Sequence, residues 1–398
     1  MKTAGGFHLT YCSNIHPGES WPEVSAALAA ALPKVRAQLG FEGPFAVGLR
    51  LSAVAALALE EPAALETFRD FLTRGNYYVP TINGFPYGAF HGTRVKERVY
   101  LPDWRSPDRL EYTNRLARLL ATLLADRLDV VGSVSTVPGA FRADIRSHSD
   151  VVALAAGMLR HAAYLKTLRE KTGILVALAL EPEPACFLET VDDAVSFFES
   201  HLFTNEAIVG VSHETGVALT VEDVRTHVGV CLDVCHMAVE FEDPSAAIDR
   251  LARAGIHVRK VQLSSALRIQ EAAGAPAPAT VLARFADDTY LHQVVVRRSG
   301  GLVRYTDLPE ALAAHPSSVP EEWRVHCHVP VFLPRMAKTG TTQEYLQAVL
   351  QLLRLRRFCP MLEVETYTWD VLPAEYRTVD MHTAIARELA WVTTALQR

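Results

Sequence analysis

Four short stretches carry the residue types that hold cations or move protons. Glu181-Pro182-Glu183 closes the almost wholly apolar run Ile174–Leu180. Asp233-Val234-Cys235-His236 straddles the end of Val228–Val234. Glu363 and Glu365 share one face of the run Met361–Glu365, and His326-Cys327-His328 sets two imidazoles on one face of a strand-like run. Carboxylates gathered without a cation raise each other's pKa and resist ionisation. A divalent metal held by carboxylate, imidazole and amide oxygen ligands removes that cost. Each stretch alone is weak, because a glutamate at a strand end is commonly a salt-bridge partner and a His-x-His pair is equally an exposed edge. Their force lies in recurring at the ends of successive runs.

Other polar residues fall at the same places. The first run is followed by Asn14 and His16. The third leads into Asn83, Tyr87 and His91, in a loop rich in Gly and aromatics that suits a sugar-sized pocket or plain packing. The fourth carries Ser133, Ser135 and Thr136, and the seventh Gln262 and Ser264. His292 reads as structural or as a substrate contact.

The elements that must hold these residues alternate. Eight β-rich runs are legible: Phe7–Cys12, Phe45–Leu51, Tyr77–Ile82, Asp129–Ser135, Ile174–Leu180, Val228–Val234, Val258–Leu263 and Met361–Glu365. Helical patterns separate them. Ser20 with Glu23 and Thr341 with Glu344 have capping-box spacing, while Ser106-Pro107 and Asp243-Pro244 give a cap followed by Pro at the first helical position. Leu116, Leu119, Leu120, Leu123 and Leu124 mark one buried helix face, and a last helix is expected over about 378–396. Eight βα units predict a (β/α)8 TIM barrel, an α/β fold whose chemistry sits at the C-terminal strand ends. The rival is a doubly wound open sheet, but no Gly-rich phosphate turn follows the first run.

One segment breaks the rhythm. About 75 residues separate Ser264 from Thr341, far more than an ordinary βα loop. It holds a Gly/Ala/Pro stretch, Ala272–Ala279, a hairpin signal in Gln293–Arg298 and Leu302–Tyr305 around Ser299-Gly300-Gly301, and the strand-like run Trp323–Phe332. We read 1–398 as a single barrel domain with a lid-like insertion, 265–325, between the seventh strand and its helix.

The balance of charge narrows the partners. Lys plus Arg is 39 and Asp plus Glu is 45, so the net charge is 39 − 45 = −6. That gives no electrostatic footprint for nucleic acid. No signal peptide and no long uncharged apolar stretch is read in the chain. Six cysteines in a chain of this length do not make a disulfide framework, and Cys231 and Cys235, four apart on what reads as a strand, are not a CxxC pair. Reduced thiols and a cytoplasmic location are expected.

Glu after the fifth strand, Asp-x-x-His after the sixth, an amide or imidazole on the seventh and Glu on the eighth resemble the xylose isomerase-like barrel superfamily, which holds sugar-phosphate isomerases and epimerases and endonuclease-IV-type enzymes. Longer strings resemble a family of bacterial metabolite-traffic proteins within it. These are Leu9–Trp21, Asn83–Gly88, Val99–Trp104, Tyr290–Gln293 and Glu363–Trp369. The resemblance spans nearly the whole chain. It implies a divalent metal ion (Mn, Mg or Zn) on Glu181, Asp233, Gln262 and Glu365. It also implies a small-molecule substrate and membrane-bound partners in an export pathway. The isomerases commonly place His where this chain has Gln262.

On that resemblance the expected activity is isomerisation or epimerisation of a small polyhydroxylated compound or secondary-metabolite precursor. Glu181 and Glu365 would exchange a proton as base and acid. His236, His326, His328, Asn83, Tyr87, His91, His16 and His292 would bind substrate, and Tyr11, Phe85, Tyr87 and Trp369 would wall the pocket. Two alternatives stay open: metal-assisted hydrolysis of a phosphoester, for which His236, His326 and His328 are candidate ligands, and a non-catalytic metabolite carrier, which the Gln262 departure favours.

Overall fold

The computed structural model describes the chain apart from residues 4, 92–93, 271–277, 287–288, 315–320, 337–338, 371, 373–374, 376 and 398. Seven strands follow one another in parallel and in chain order: β1 His8–Tyr11, β2 Phe45–Arg50, β3 Tyr77–Asn83, β4 Gly132–Thr136, β5 Val176–Leu180, β6 Val228–Asp233 and β7 Val258–Leu263. The chain then forms β8 Leu267–Gln270, β9 Val294–Arg298, β10 Gly301–Tyr305, β11 Glu322–Val325, β12 Arg335–Met336 and β13 Thr339–Thr341. The eighth barrel strand, β14 Met361–Val364, comes last and slots between β7 and β1.

The ring closes at the seam between β1 and β2. Cys12 bridges to Gly48 there. The Thr10 hydroxyl donates to Ala46 O at 2.9 Å and accepts from Gly48 N at 2.9 Å, replacing a missing ladder bond with a side chain. Gly48 must lack a side chain, since a Cβ would stand 1.8 Å from Glu363 Oε2 and 2.5 Å from Tyr11 O. An open doubly wound sheet would not return β14 to β1. The fold is therefore the expected α/β barrel. Residues of β5 are buried throughout, which is why its sequence reads as continuous apolar rather than alternating.

The helix starts follow their caps with one exception. Ser20 and Glu23 form the reciprocal capping box, Ser106 accepts from Asp108 N, and Asp243 accepts from Ala246 N. The Thr341–Glu344 box does not form. Thr341 is instead the last residue of β13, pairs with Leu267, and donates its hydroxyl to Leu333 O at 2.6 Å. The helix begins at Gln343, with no side-chain cap from Thr342. The last helix is Met381–Gln397. Cys235 lies in the short helix Val234–Val239 rather than on a strand, and all six cysteines are buried free thiols. Among the described residues, no helix is long and apolar enough to cross a membrane.

Strands β8 to β13 form a second, antiparallel sheet in the order β10-β9-β11-β8-β13-β12. The hairpin lies at β9–β10. The run Trp323–Phe332 is a strand only as far as Val325, after which His326 N turns to donate to Gln293 O and Val329 N to Ser265 O. Residues 272–277 of the Gly/Ala/Pro stretch lie outside the described residues.

Candidate metal and substrate site

Three carboxylates meet where β5, β6 and β14 end. Glu181, Asp233 and Glu365 each offer an oxygen, and these oxygens lie within 4.8 Å of one another, all buried. Asp233 is held as the N-cap of Val234–Val239, accepting from His236 N at 3.0 Å and from Ser264 Oγ at 2.7 Å through Oδ1. Gln262, in register with Asp233 and Glu363, donates its amide to Glu181 Oε1 at 2.5 Å and Glu365 Oε2 at 2.8 Å. Asn14 and Asn83 donate to Glu365 Oε1 at 2.7 and 3.3 Å.

The fit to a cation follows from what is left over. Glu181 Oε2, Asp233 Oδ2 and Gln262 Oε1 are buried without a hydrogen-bond partner among the described residues. Buried acceptors of that kind are costly unless something positive meets them. The Gln262 amide faces the carboxylates with its nitrogen, so its oxygen would reach a cation there only after the amide turns over. Glu363, the other strand-eight carboxylate, is not part of this group. It points into the barrel and pairs with Lys260 at 2.5 Å, neither side chain being exposed.

The charges respond to burial and to each other. Burial pushes Glu181 up to about 7, against the pull of His236 and with Asp233 adding to the rise. Burial, then Glu181 and Asp233, hold Glu365 well above the carboxylate range. Asp233 moves the other way, because His236, His328 and the Ser264 hydroxyl outweigh burial. The same exchange holds His236 above its usual value despite burial, through Asp233, Glu183 and Glu181. Burial lowers His326 strongly and brings His328 to about 4.

A cleft of about 530 Å³, counted out to its open side, covers this group. Phe85, Phe90, Tyr100, Tyr290 and Tyr367 supply aromatic walls, and Asn14, Asn83, Lys96, Glu181, Glu183, His236, His326, His328 and Glu365 supply polar ones. Tyr290 and Leu291 lie within the expected insertion 265–325 and the two imidazoles just beyond it, all between β7 and β14, so this stretch of chain forms part of the wall.

Several residues expected here lie elsewhere. His16 is bonded to Tyr11 at 3.0 Å and borders a separate small hollow beside Gly18 and Leu28. Tyr87 packs edge-on against Tyr112 under Arg109. His91 sits against Phe90 but does not line the cleft. His292 binds His326 O through Nδ1, behind the wall. Tyr11 and Trp369 are also outside the lining. Conversely, Glu183 and Asn14 were legible as strand-end residues but unassigned. Tyr100, Tyr290 and Tyr367 lay inside the quoted strings with no signal of their role, and Lys96 gave none.

No known family model matches the chain, and no curated protein matches it. Solved structures do. A xylose isomerase-like TIM barrel protein from Mycobacterium smegmatis, solved in complex with magnesium, is similar at TM-score 0.52 and 14% identity, over 100% of this chain and 98% of that one. The probable 3-DHS dehydratase AsbF of Bacillus anthracis reaches 0.47 at 11% identity, over 97% and 98%. A D-psicose 3-epimerase solved in the presence of D-fructose reaches 0.46 at 14%, over 98% and 100%. Likeness at such identities bears on the fold alone, and the first carries it. The architecture is that of a (β/α)8 TIM barrel.

Proposed function

We propose that this chain is a divalent metal-dependent isomerase or epimerase acting on a small polyhydroxylated compound. The observation that carries the reading is the convergence of Glu181, Asp233 and Glu365 under one cleft, with unpartnered buried acceptors among them. Glu181, Asp233, Glu365 and the turned amide of Gln262 would hold the cation. A bound Mn, Mg or Zn ion supplies Lewis-acid polarisation of a substrate carbonyl.

The chain's own groups do the rest. Glu181, whose second oxygen is left without a hydrogen-bond partner, suits removal of a proton from carbon. Glu365, whose oxygens lie beside those of Glu181, suits return of one. Asn14 and Asn83 fix Glu365 while this happens. His236, His326, His328 and Lys96 line the cleft where the hydroxyl groups or phosphate of a substrate would lie.

We also read a role in metabolite traffic, of the kind implied by the strings that resemble EboE, with membrane-bound partners in an export pathway. One observation favours a carrier over a catalyst: Gln262 occupies both flanking carboxylates with its amide nitrogen. A single experiment separates them. Hexuloses and their phosphates are incubated with the Mn(II)-loaded protein in deuterated water and followed by NMR. Catalysis predicts deuterium at the carbon next to the carbonyl, reduced by ~10²–10⁴-fold in Glu181→Gln. Binding without any exchange in wild type would sink the proton-transfer reading.

A further inference from the structure

Three imidazoles from two distant parts of the chain turn their Nε2 atoms toward one another. His326 Nε2 lies 3.2 Å from His236 Nε2 and 3.2 Å from His328 Nε2. Each ring is fixed from behind by a carbonyl oxygen: His236 Nδ1 on Pro182 O at 2.9 Å, His328 Nδ1 on Glu365 O at 3.0 Å, and His326 Nδ1 on Gln293 Oε1 at 2.6 Å. The Gln293 amide is oriented by its nitrogen, which donates to the Tyr100 hydroxyl at 2.9 Å and Pro184 O at 3.1 Å. A carbonyl oxygen only accepts, so all three Nδ1 atoms carry the hydrogen. In the neutral rings all three Nε2 atoms are then bare lone pairs.

Lone pairs at that spacing repel unless something positive lies among them. One shared proton satisfies only one of the two contacts, and two would put a pair of imidazolium charges in a fully buried place. A metal ion satisfies all three at once. Ligands bound tetrahedrally to zinc at 2.0–2.1 Å stand about 3.3 Å apart, close to the spacing seen. A fourth donor is at hand. Asp233 Oδ2 lies 3.9 Å from His328 Nε2 and is buried without a hydrogen-bond partner, its other oxygen being taken by Ser264 and His236 N. The ligand atoms of Asp233, His236 and His328 lie within 4.8 Å of one another. Carbonyl oxygens behind metal-bound imidazoles are the usual means of fixing ring orientation and tautomer.

We propose that His236, His326 and His328, with Asp233 Oδ2, form a second cation site of the zinc or cobalt type, sharing Asp233 with the carboxylate group beside it. Three nitrogens and one oxygen suit zinc, whereas the oxygen-rich neighbour suits magnesium or manganese. Two ions of different preference would then flank Asp233. The proposal stands apart from the isomerase reading, since it needs neither a substrate nor exchange.

The full-length chain is assayed for zinc by elemental analysis as purified, then stripped with chelator and titrated with Co(II). The expected result is the intense visible absorption of tetrahedral, nitrogen-bound Co(II), lost in His326→Gln and in His328→Gln but kept in Glu181→Gln. Each histidine variant should also lose about one zinc per chain. Circular dichroism checks that the variants fold. NMR of ¹⁵N-labelled wild type adds a readout that needs no variant: the three Nε2 resonances should move together on addition of Zn(II). Weak octahedral-type Co(II) absorption in wild type, equal zinc content in wild type and both histidine variants, or Nε2 resonances that stay put with zinc would each overturn the proposal.

Discussion

Lys260 and Glu363 face each other at 2.5 Å inside the barrel, with neither side chain reaching solvent. Burial alone would lower the lysine, but Glu363 holds it above the ordinary lysine range. The pair sits one layer beneath the carboxylate group, since Glu363 lies within β14 and Glu365 just past its end. Gly48 on β2, beyond β1 from Glu363, makes the room for it.

A buried ion pair of this kind is more telling when broken than when whole. Lys260→Met leaves a buried carboxylate and Glu363→Gln a buried ammonium, so each single change should cost about 3–5 kcal/mol. The double change Lys260→Met/Glu363→Gln should cost much less than the sum, because both charges leave together. Denaturant unfolding of the four proteins measures the coupling. Additive effects would mean that the two charges do not stabilise each other.

A second prediction concerns pH. Glu388 is buried, accepts from Val331 N at 3.1 Å and Thr366 Oγ1 at 2.7 Å, and is pushed up to about 7 by burial. Its unfolded value is about 4.3. The native state therefore keeps this proton longer than the unfolded chain does. Its stabilising contribution is whole below about pH 4.3 and is lost as pH rises through 7, a change on the order of 3 kcal/mol. Glu240, also raised to about 7 by burial and then by Glu189, acts in the same direction. Unfolding free energy should fall between pH 5 and pH 8. Glu388→Gln keeps an acceptor oxygen without the charge, so it should flatten that slope and exceed wild type at pH 8. Parallel slopes for the two proteins would refute the assignment.

The parts of the site that were legible in the sequence are those the barrel itself dictates. Glu181, Asp233 and Glu365 stand where apolar runs stop, and a parallel barrel brings such ends to one mouth. That rule says nothing of the direction a side chain takes once the chain has left the strand. Asn14 and His16 follow the same strand, yet the 3-10 turn Ser13–Ile15 sends the first into the cleft and the second against Tyr11. Phe85 and Tyr87 share one loop, and only Phe85 reaches the wall. His326 and His328 were expected to share a strand face. They meet instead in coil after β11, drawn to His236 by contacts across ninety positions of chain that no local pattern encodes. Thr341 shows the same override, its cap spacing defeated by the strand pairing of the insertion.

The last prediction concerns how the insertion is held to the barrel. Lys96 lies at φ +40°, a left-handed conformation that side chains other than Gly seldom adopt. Such strain costs of order 1–3 kcal/mol and persists only where surrounding contacts impose it. Here the Lys96 ammonium binds Tyr290 O at 2.7 Å and Asp307 Oδ2 at 2.7 Å, both on the insertion, while Val95 N and Lys96 N both donate to Thr289 O. Asp307 in turn caps Leu308 N and His292 N through its other oxygen. Lys96 is buried, so its loss leaves Asp307 and the Tyr290 carbonyl short of a charged donor, worth about 1.5–3 kcal/mol. The barrel ladders do not depend on it. Lys96→Met should therefore raise the rate of limited proteolysis within 265–325 several-fold while lowering the melting temperature only slightly. Asp307→Asn keeps the capping oxygen but weakens the ion pair, so it should do the same to a smaller degree. The double variant should add little to Lys96→Met, because both changes break one interaction. Unchanged cleavage in Lys96→Met, or cleavage that appears only together with global unfolding, would show that this ion pair does not fasten the insertion.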